Sequence, residues 1–242
     1  YSQMNVDAIY HVHRWLKNQL AGLFKTELKA IYQPLATIEK AYVYSSTDIA
    51  ERTLKNVCLS YLTHLDDGIG LAETQYRIGG NMTDVLAALD ALSHTDSQAR
   101  ETCLQDFYDK WKGDTLVLDK WFSLQSASHH VHALEHVKEL VKHDDFVYTN
   151  PNRVRSVLGV FGRLNLLGFH RENGEGYEFL SDQVLKLDAI NPQVAARIVA
   201  PFTHWKHLDN ERQLKMKAAL QRIKDSSSLS KDVYEIVSKS LG

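Results

Sequence analysis

Apolar residues recur three or four positions apart along nearly the whole chain, and no segment alternates as a half-buried strand does. At 3.6 residues per turn such spacing gathers side chains on one face of a helix. Ile9, Val12, Leu16, Leu20, Phe24, Leu28 and Ile31 show it over 6–33, predicting one long helix or two with a break near Gly22. Pro34 and Ser45-Ser46-Thr47 mark the next connection. Asp48 and Glu51 are placed like a capping box for a helix over 48–64, and Thr95 with Gln98 for one over 99–111. A shorter helix over 66–77 ends at Gly79-Gly80, and Asn81 caps 82–92. Asp114 or Thr115 opens a helix to about Ser126. Further helices are expected over 130–141, 177–187 and 210–224, and Ser230 caps a last one to Leu241. The expected fold is all-α: a single domain over 1–242, an irregular, solenoid-like superhelix of antiparallel helix pairs without a clean sequence repeat.

Composition closes off other classes. Four prolines and twelve glycines are too few for a sandwich of many tight turns. With 28 Lys+Arg against 30 Asp+Glu, nothing draws the chain to nucleic acid or to an anionic membrane. No apolar run approaches the length of a membrane span. Cys58 and Cys103 lie in apolar helical patterns, as buried free thiols of a reducing compartment do. The chain begins at Tyr1, which is expected of a processed, trimmed or partial chain.

Two helix starts share an unusual design. Asn150-Pro151-Asn152-Arg153-Val154-Arg155 and Asn191-Pro192-Gln193-Val194-Ala195-Ala196-Arg197 each offer an Asn cap followed by Pro at the first helical position. A helix N-terminus carries partial positive charge and favours acids in its first turn. These two carry Arg153, Arg155 and, one turn on, Arg197. Two readings stand open: the arginines reach back to surface acids, or they hold an anion such as a carboxylate or phosphate.

Other chemistry is sparse. There is no HExxH helix, no P-loop and no Gly-x-Ser-x-Gly elbow, and Gly174-Glu175-Gly176-Tyr177 reads as a turn before a helix. His129, His132, His136, Glu139 and His143 fall on one helical stripe, with Val131, Leu134, Val137 and Val141 opposite. This is read as a polar, solvated face; His132 and His136 alone offer two of the ligands a zinc site needs. Trp121, Phe122, Tyr177, Phe179 and Trp205 are assigned to the core.

Asn81-Met82-Thr83-Asp84, Leu116 to Phe122 (Leu-Val-Leu-Asp-Lys-Trp-Phe), the Asn150 to Arg155 stretch, Phe169-His170 with Gly174-x-Gly176-Tyr177-x-Phe179-Leu180, and Asn191 to Ala195 with Arg197 occur in one order. Together they resemble the C-terminal helical domain of bacterial aminopeptidase N, the M1 family of zinc alanyl aminopeptidases. The resemblance runs from about Ile49 to Gly242 and is weaker before. It implies that the first helices of the family's domain are missing, leaving an apolar edge exposed. It also implies that zinc and its ligands lie in an earlier catalytic domain, and that this chain carries no cofactor of its own. The partners implied are that catalytic domain, on the same polypeptide, and a peptide substrate, in the cytoplasm. Gln193 and Arg197 match family positions that face the catalytic site from this domain, Arg155 matches a position near them, and Arg153 is adjacent; the four are the substrate-binding candidates. The expected role is a non-catalytic domain that encloses the active-site chamber and helps to position the peptide. The alternatives are a free-standing helical scaffold for a protein partner and, behind it, a metal-binding protein built on the His stripe.

Overall fold

Helices follow one another through the computed structural model, which describes residues 3–36, 42 and 44–242. The chain divides into two units, His11–Gly113 and, together, Tyr1–Tyr10 with Asp114–Gly242. Tyr1 and most of the connection expected between Pro34 and Ser45 lie outside the described residues.

Helix α1 (Val6–Leu23) enters the first of these units. It is followed there by α2 (Lys25–Ala36), α3 (Ser46–Leu62), α4 (Gly68–Ile78), α5 (Met82–Ser93) and α6 (Gln98–Trp111). The break expected near Gly22 falls at Phe24. Pro34 does not end its helix. It sits in the last turn of α2, where its missing N–H removes a bond only near the helix end. Two expected capping boxes are displaced. Ser45 caps α3 by accepting the Asp48 N–H at 3.1 Å, and its hydroxyl donates to the Asp48 carboxylate, so the helix starts earlier than expected. Ser97 caps α6 by accepting the Arg100 N–H at 3.2 Å, whereas the Thr95 hydroxyl donates to the Leu92 carbonyl leaving α5. Helix α3 packs on α5, α4 on α5, and α6 on both α4 and α5. Leu59, Leu62, Ala72, Leu89, Leu92 and Phe107 are fully buried between them, and the free thiols Cys58 and Cys103 are buried beside them. Lys55 and Asp84 pair inside this core at 2.6 Å, and Asn56, at 3.1 Å, and Asn81, at 2.9 Å, donate to the same carboxylate. A buried ion pair is tolerated when its remaining lone pairs are satisfied in this way. The outer face of α1 is different: Val12, Trp15, Leu16 and Leu23 are 46–73% exposed.

The other unit holds α7 (Thr115–Ser126), α8 (Ala133–Leu140), α9 (Pro151–Val154), α10 (Val160–Leu164), α11 (Leu166–Phe169), α12 (Glu175–Asp188), α13 (Pro192–Ile198), α14 (Asn210–Lys224) and α15 (Lys231–Leu241). A π-helical turn, Arg155–Gly159, joins α9 to α10, and a 3-10 helix, Ala200–His207, precedes α14. Among the described residues the only β pairing is a bridge between Met4 and Leu208. Tyr177, Phe161, Phe169 and Phe202 are fully buried and meet largely edge to face, Phe169 at 5.2 Å from Tyr177 and 5.5 Å from Phe202. The turn into α12 needs its glycines. Gly174 has φ 86°, and a side chain on Gly176 would lie 2.2 Å from the Gly168 carbonyl oxygen. Arg212 closes this unit. It donates to the His170 carbonyl at 2.8 Å and pairs with Asp209 at 2.9 Å and Asp7 at 2.7 Å, tying the start of α1 to α14.

Two outcomes follow from these cores. Asp84→Ala leaves the Lys55 ammonium buried without a counter-charge and is expected to cost roughly 3 kcal/mol in urea unfolding; a cost below about 1 kcal/mol would mean that water reaches the pair. His170, hydrogen-bonded to the Tyr177 hydroxyl at 2.8 Å, is pushed down to about 4, first by burial and then by the Arg212 charge. Its unfolded value is about 6.5, so between pH 6.5 and 4 the unfolded chain gains a proton that the folded chain refuses, and stability falls as pH falls. Unfolding curves across that window should lose roughly 3 kcal/mol from this residue, a slope that His170→Gln flattens; an equally steep slope in the variant would assign the loss elsewhere.

Candidate functional site

Both Asn-Pro starts form as their chemistry requires. Asn150 Oδ1 accepts the N–H groups of Asn152 at 3.0 Å and Arg153 at 3.2 Å, and Asn191 Oδ1 accepts that of Val194 at 3.2 Å. Pro151 and Pro192 each open a helix, where a missing N–H costs nothing.

The arginines then part company. Arg153 is buried. Its Nε donates to Asp119 Oδ1 at 2.6 Å, another guanidinium nitrogen donates to the Asp145 carbonyl, and the group lies 4.6 Å over the Phe122 ring. That cation is neutralised within the chain by an acid from α7. Arg155, two residues on, is half-buried, and among the described residues it donates only to the Asn152 side-chain oxygen. Gln193 and Arg197 are exposed on α13, and neither has a hydrogen bond or ion pair among the described residues.

The π-helical turn sets these helices against each other. The Val160 N–H reaches back five residues to the Arg155 carbonyl, which widens the turn by one residue. Helix α13 packs against that turn. A methyl group on Gly159 would lie 3.5 Å from Ile198 Cδ1 and 3.7 Å from Arg155 Cβ. Arg155 and Arg197, the neighbour of Ile198, are therefore carried on two elements that meet at Gly159. Arg163, which the sequence reading passed over, also lies on this helix; it is exposed and without a partner among the described residues.

The histidine stripe is corrected by the structure. Helix α8 begins only at Ala133, so His129 and His132 precede it and Val131 is exposed instead of facing the core. His136 stacks on His130, with centroids 5.3 Å apart, and His143 packs edge-on against Trp121 and Phe122. Among the described residues no three His, Cys, Asp or Glu side chains are placed together to hold a metal ion.

The fold defines an all-α, helical-repeat protein whose candidate site is a group of cations without acid partners among the described residues. A family model described as "Domain of unknown function (DUF3458_C) ARM repeats" matches residues 1–242, and the chain belongs to that family. The chain is similar to aminopeptidase N of Escherichia coli (strain K12), 42% identical over 238 residues, which are 97% of this chain and 27% of that protein. It is similar as well to aminopeptidase N of Haemophilus influenzae, 37% identical over 241 residues, or 100% of this chain and 28% of that one. Among solved structures it matches Legionella pneumophila aminopeptidase A, described in complex with aspartic acid. The TM-score is 0.90 at 31% identity, over 100% of this chain and 29% of that one. The likeness thus extends to the residues before Ile49, where the motifs alone are weak.

The fate of Arg153 is directly testable. Arg153→Met strands the Asp119 carboxylate, and a loss of about 3 kcal/mol is expected in urea unfolding, with little recovery in Arg153→Lys because an ammonium cannot form both bonds in the same fork. A loss under about 0.5 kcal/mol would return Arg153 to the candidate site.

Proposed function

We propose that this chain is the non-catalytic, C-terminal part of a zinc-dependent aminopeptidase, and that Arg155, Gln193 and Arg197 face the peptide substrate. Arg153 serves by anchoring the helix that carries Arg155. The observation that carries the reading is a division among the arginines. Arg153, Arg171, Arg212 and Arg222 each pair with an acid, whereas Arg155 and Arg197, on neighbouring elements, have no acid partner among the described residues. Guanidinium groups without such a partner suit a carboxylate, and a peptide ends in one.

Supporting arguments come from the chain's surroundings. The relatives named above are aminopeptidases, and each carries the matching segment inside a much longer chain. The sequence has no HExxH, so zinc and the groups that activate water belong to another part of the parent polypeptide. The exposed apolar face of α1 is of the kind that a second part of one chain covers. These points make the free-standing scaffold the weaker reading. Two free thiols accord with a cytoplasmic protein, and no helix among the described residues is long and apolar enough to cross a membrane.

On this reading the domain orients the peptide beyond its first residue. Orientation raises kcat/KM by fixing the scissile bond in place before reaction. In the full-length parent, Arg197→Ala should lower kcat/KM for peptides by about tenfold and leave a small anilide, which has no carboxylate to offer, little changed; a charge-assisted contact is worth about 1.5–3 kcal/mol. Equal losses on both substrates would remove the positioning role.

A further inference from the structure

The π-helical turn does more than seat α13. In an uninterrupted α-helix, residues eight apart lie about 80° apart around the axis, whereas residues seven apart lie within about 20° of each other. A π turn holds one extra residue, so across Arg155–Gly159 residues eight apart fall where residues seven apart ordinarily fall. Arg155 and Arg163 are eight apart. Ser156, Val157, Leu158, Phe161 and Gly162 are buried, while Arg155, Gly159 and Val160 are partly exposed and Arg163 and Leu164 are open. The row Arg155, Gly159, Arg163 thus shares one face. At Gly159, its centre, Ile198 of α13 comes into contact. Arg155 and Arg163 stand one turn to either side of that contact, roughly 11 Å apart along the helix.

We propose that Arg163 is a second anion contact of the peptide site, so that Arg155 and Arg163 together select peptides carrying an acidic side chain. The proposal rests on the substrate-facing reading given above. An extended peptide advances about 3.3 Å per residue, so 11 Å corresponds to roughly three residues. The favoured ligand is a peptide with Asp or Glu about three positions before its terminal carboxylate, one anion at each arginine.

The test uses the full-length parent enzyme and two hexapeptides, Ala-Ala-Asp-Ala-Ala-Ala and the same sequence with Asn at the third position. The readout is the ratio of their kcat/KM values. The wild type should favour the Asp peptide by about fivefold, the effect lying in KM and shrinking with added salt, as partly exposed charge pairs do. R163Q should bring the ratio close to one, and R163K should restore part of it. A ratio unchanged in R163Q overturns the proposal. So does a drop in thermal stability of the parent accompanied by equal losses on both peptides, which would assign Arg163 to an acid elsewhere on the polypeptide. The two readings fail separately. If Arg197→Ala shows its peptide-selective loss while R163Q leaves the ratio alone, only the second contact is lost. If Arg197→Ala acts equally on peptide and anilide, the substrate-facing reading itself falls.

Discussion

The buried pair between Arg153 and Asp119 holds the candidate site in place. It joins the first turn of α9 to α7, across 34 positions of sequence, and Phe122 and the Asp145 carbonyl complete the guanidinium's surroundings. A buried cation is costly unless its charge and its donors are both met, so the pair admits one relative placement of these segments. With α9 fixed there, the π turn follows at a set height, and Arg155 emerges half-exposed instead of swinging freely. The same helix start therefore contains one arginine committed to architecture and another available for binding.

Helix ends were legible in the sequence wherever the cap and the N–H groups it serves lie within a few residues. Asn81, Asp114, Asn150, Asn191 and Ser230 each cap the helix expected of them. At α3 and α6 the spacing pointed to Asp48 and Thr95, whereas Ser45 and Ser97 make the caps, each accepting the N–H three residues on. The histidine stripe failed for a related reason. Periodicity ran past the true start of α8, into a turn where Ser128 and His130 direct their side chains at backbone N–H groups.

The candidate site was legible as residue types but not as a division of labour. Arg153 and Arg155 are equivalent in sequence, and only Asp119, brought in by tertiary packing, separates them. The π turn was not legible either. Ser156, Val157 and Leu158 are ordinary helix residues, and α7 and α13 both pack on the widened turn they form. Arg163 was overlooked because its alignment with Arg155 exists only once that extra residue is counted. The resemblance to M1 aminopeptidases supplied what local chemistry did not: a reason for cations without acid partners among the described residues.

The central claim is that the unpaired arginines meet a peptide. The most direct measurement is a crystal structure of the full-length parent with a slowly cleaved peptide bound. The account predicts the Arg197 guanidinium, with Arg155 beside it, within about 4 Å of the peptide's terminal carboxylate, and Arg153 still on Asp119. Arg155 and Arg197 paired instead with acids of the parent's other domains, with the peptide carboxylate in solvent, would contradict it.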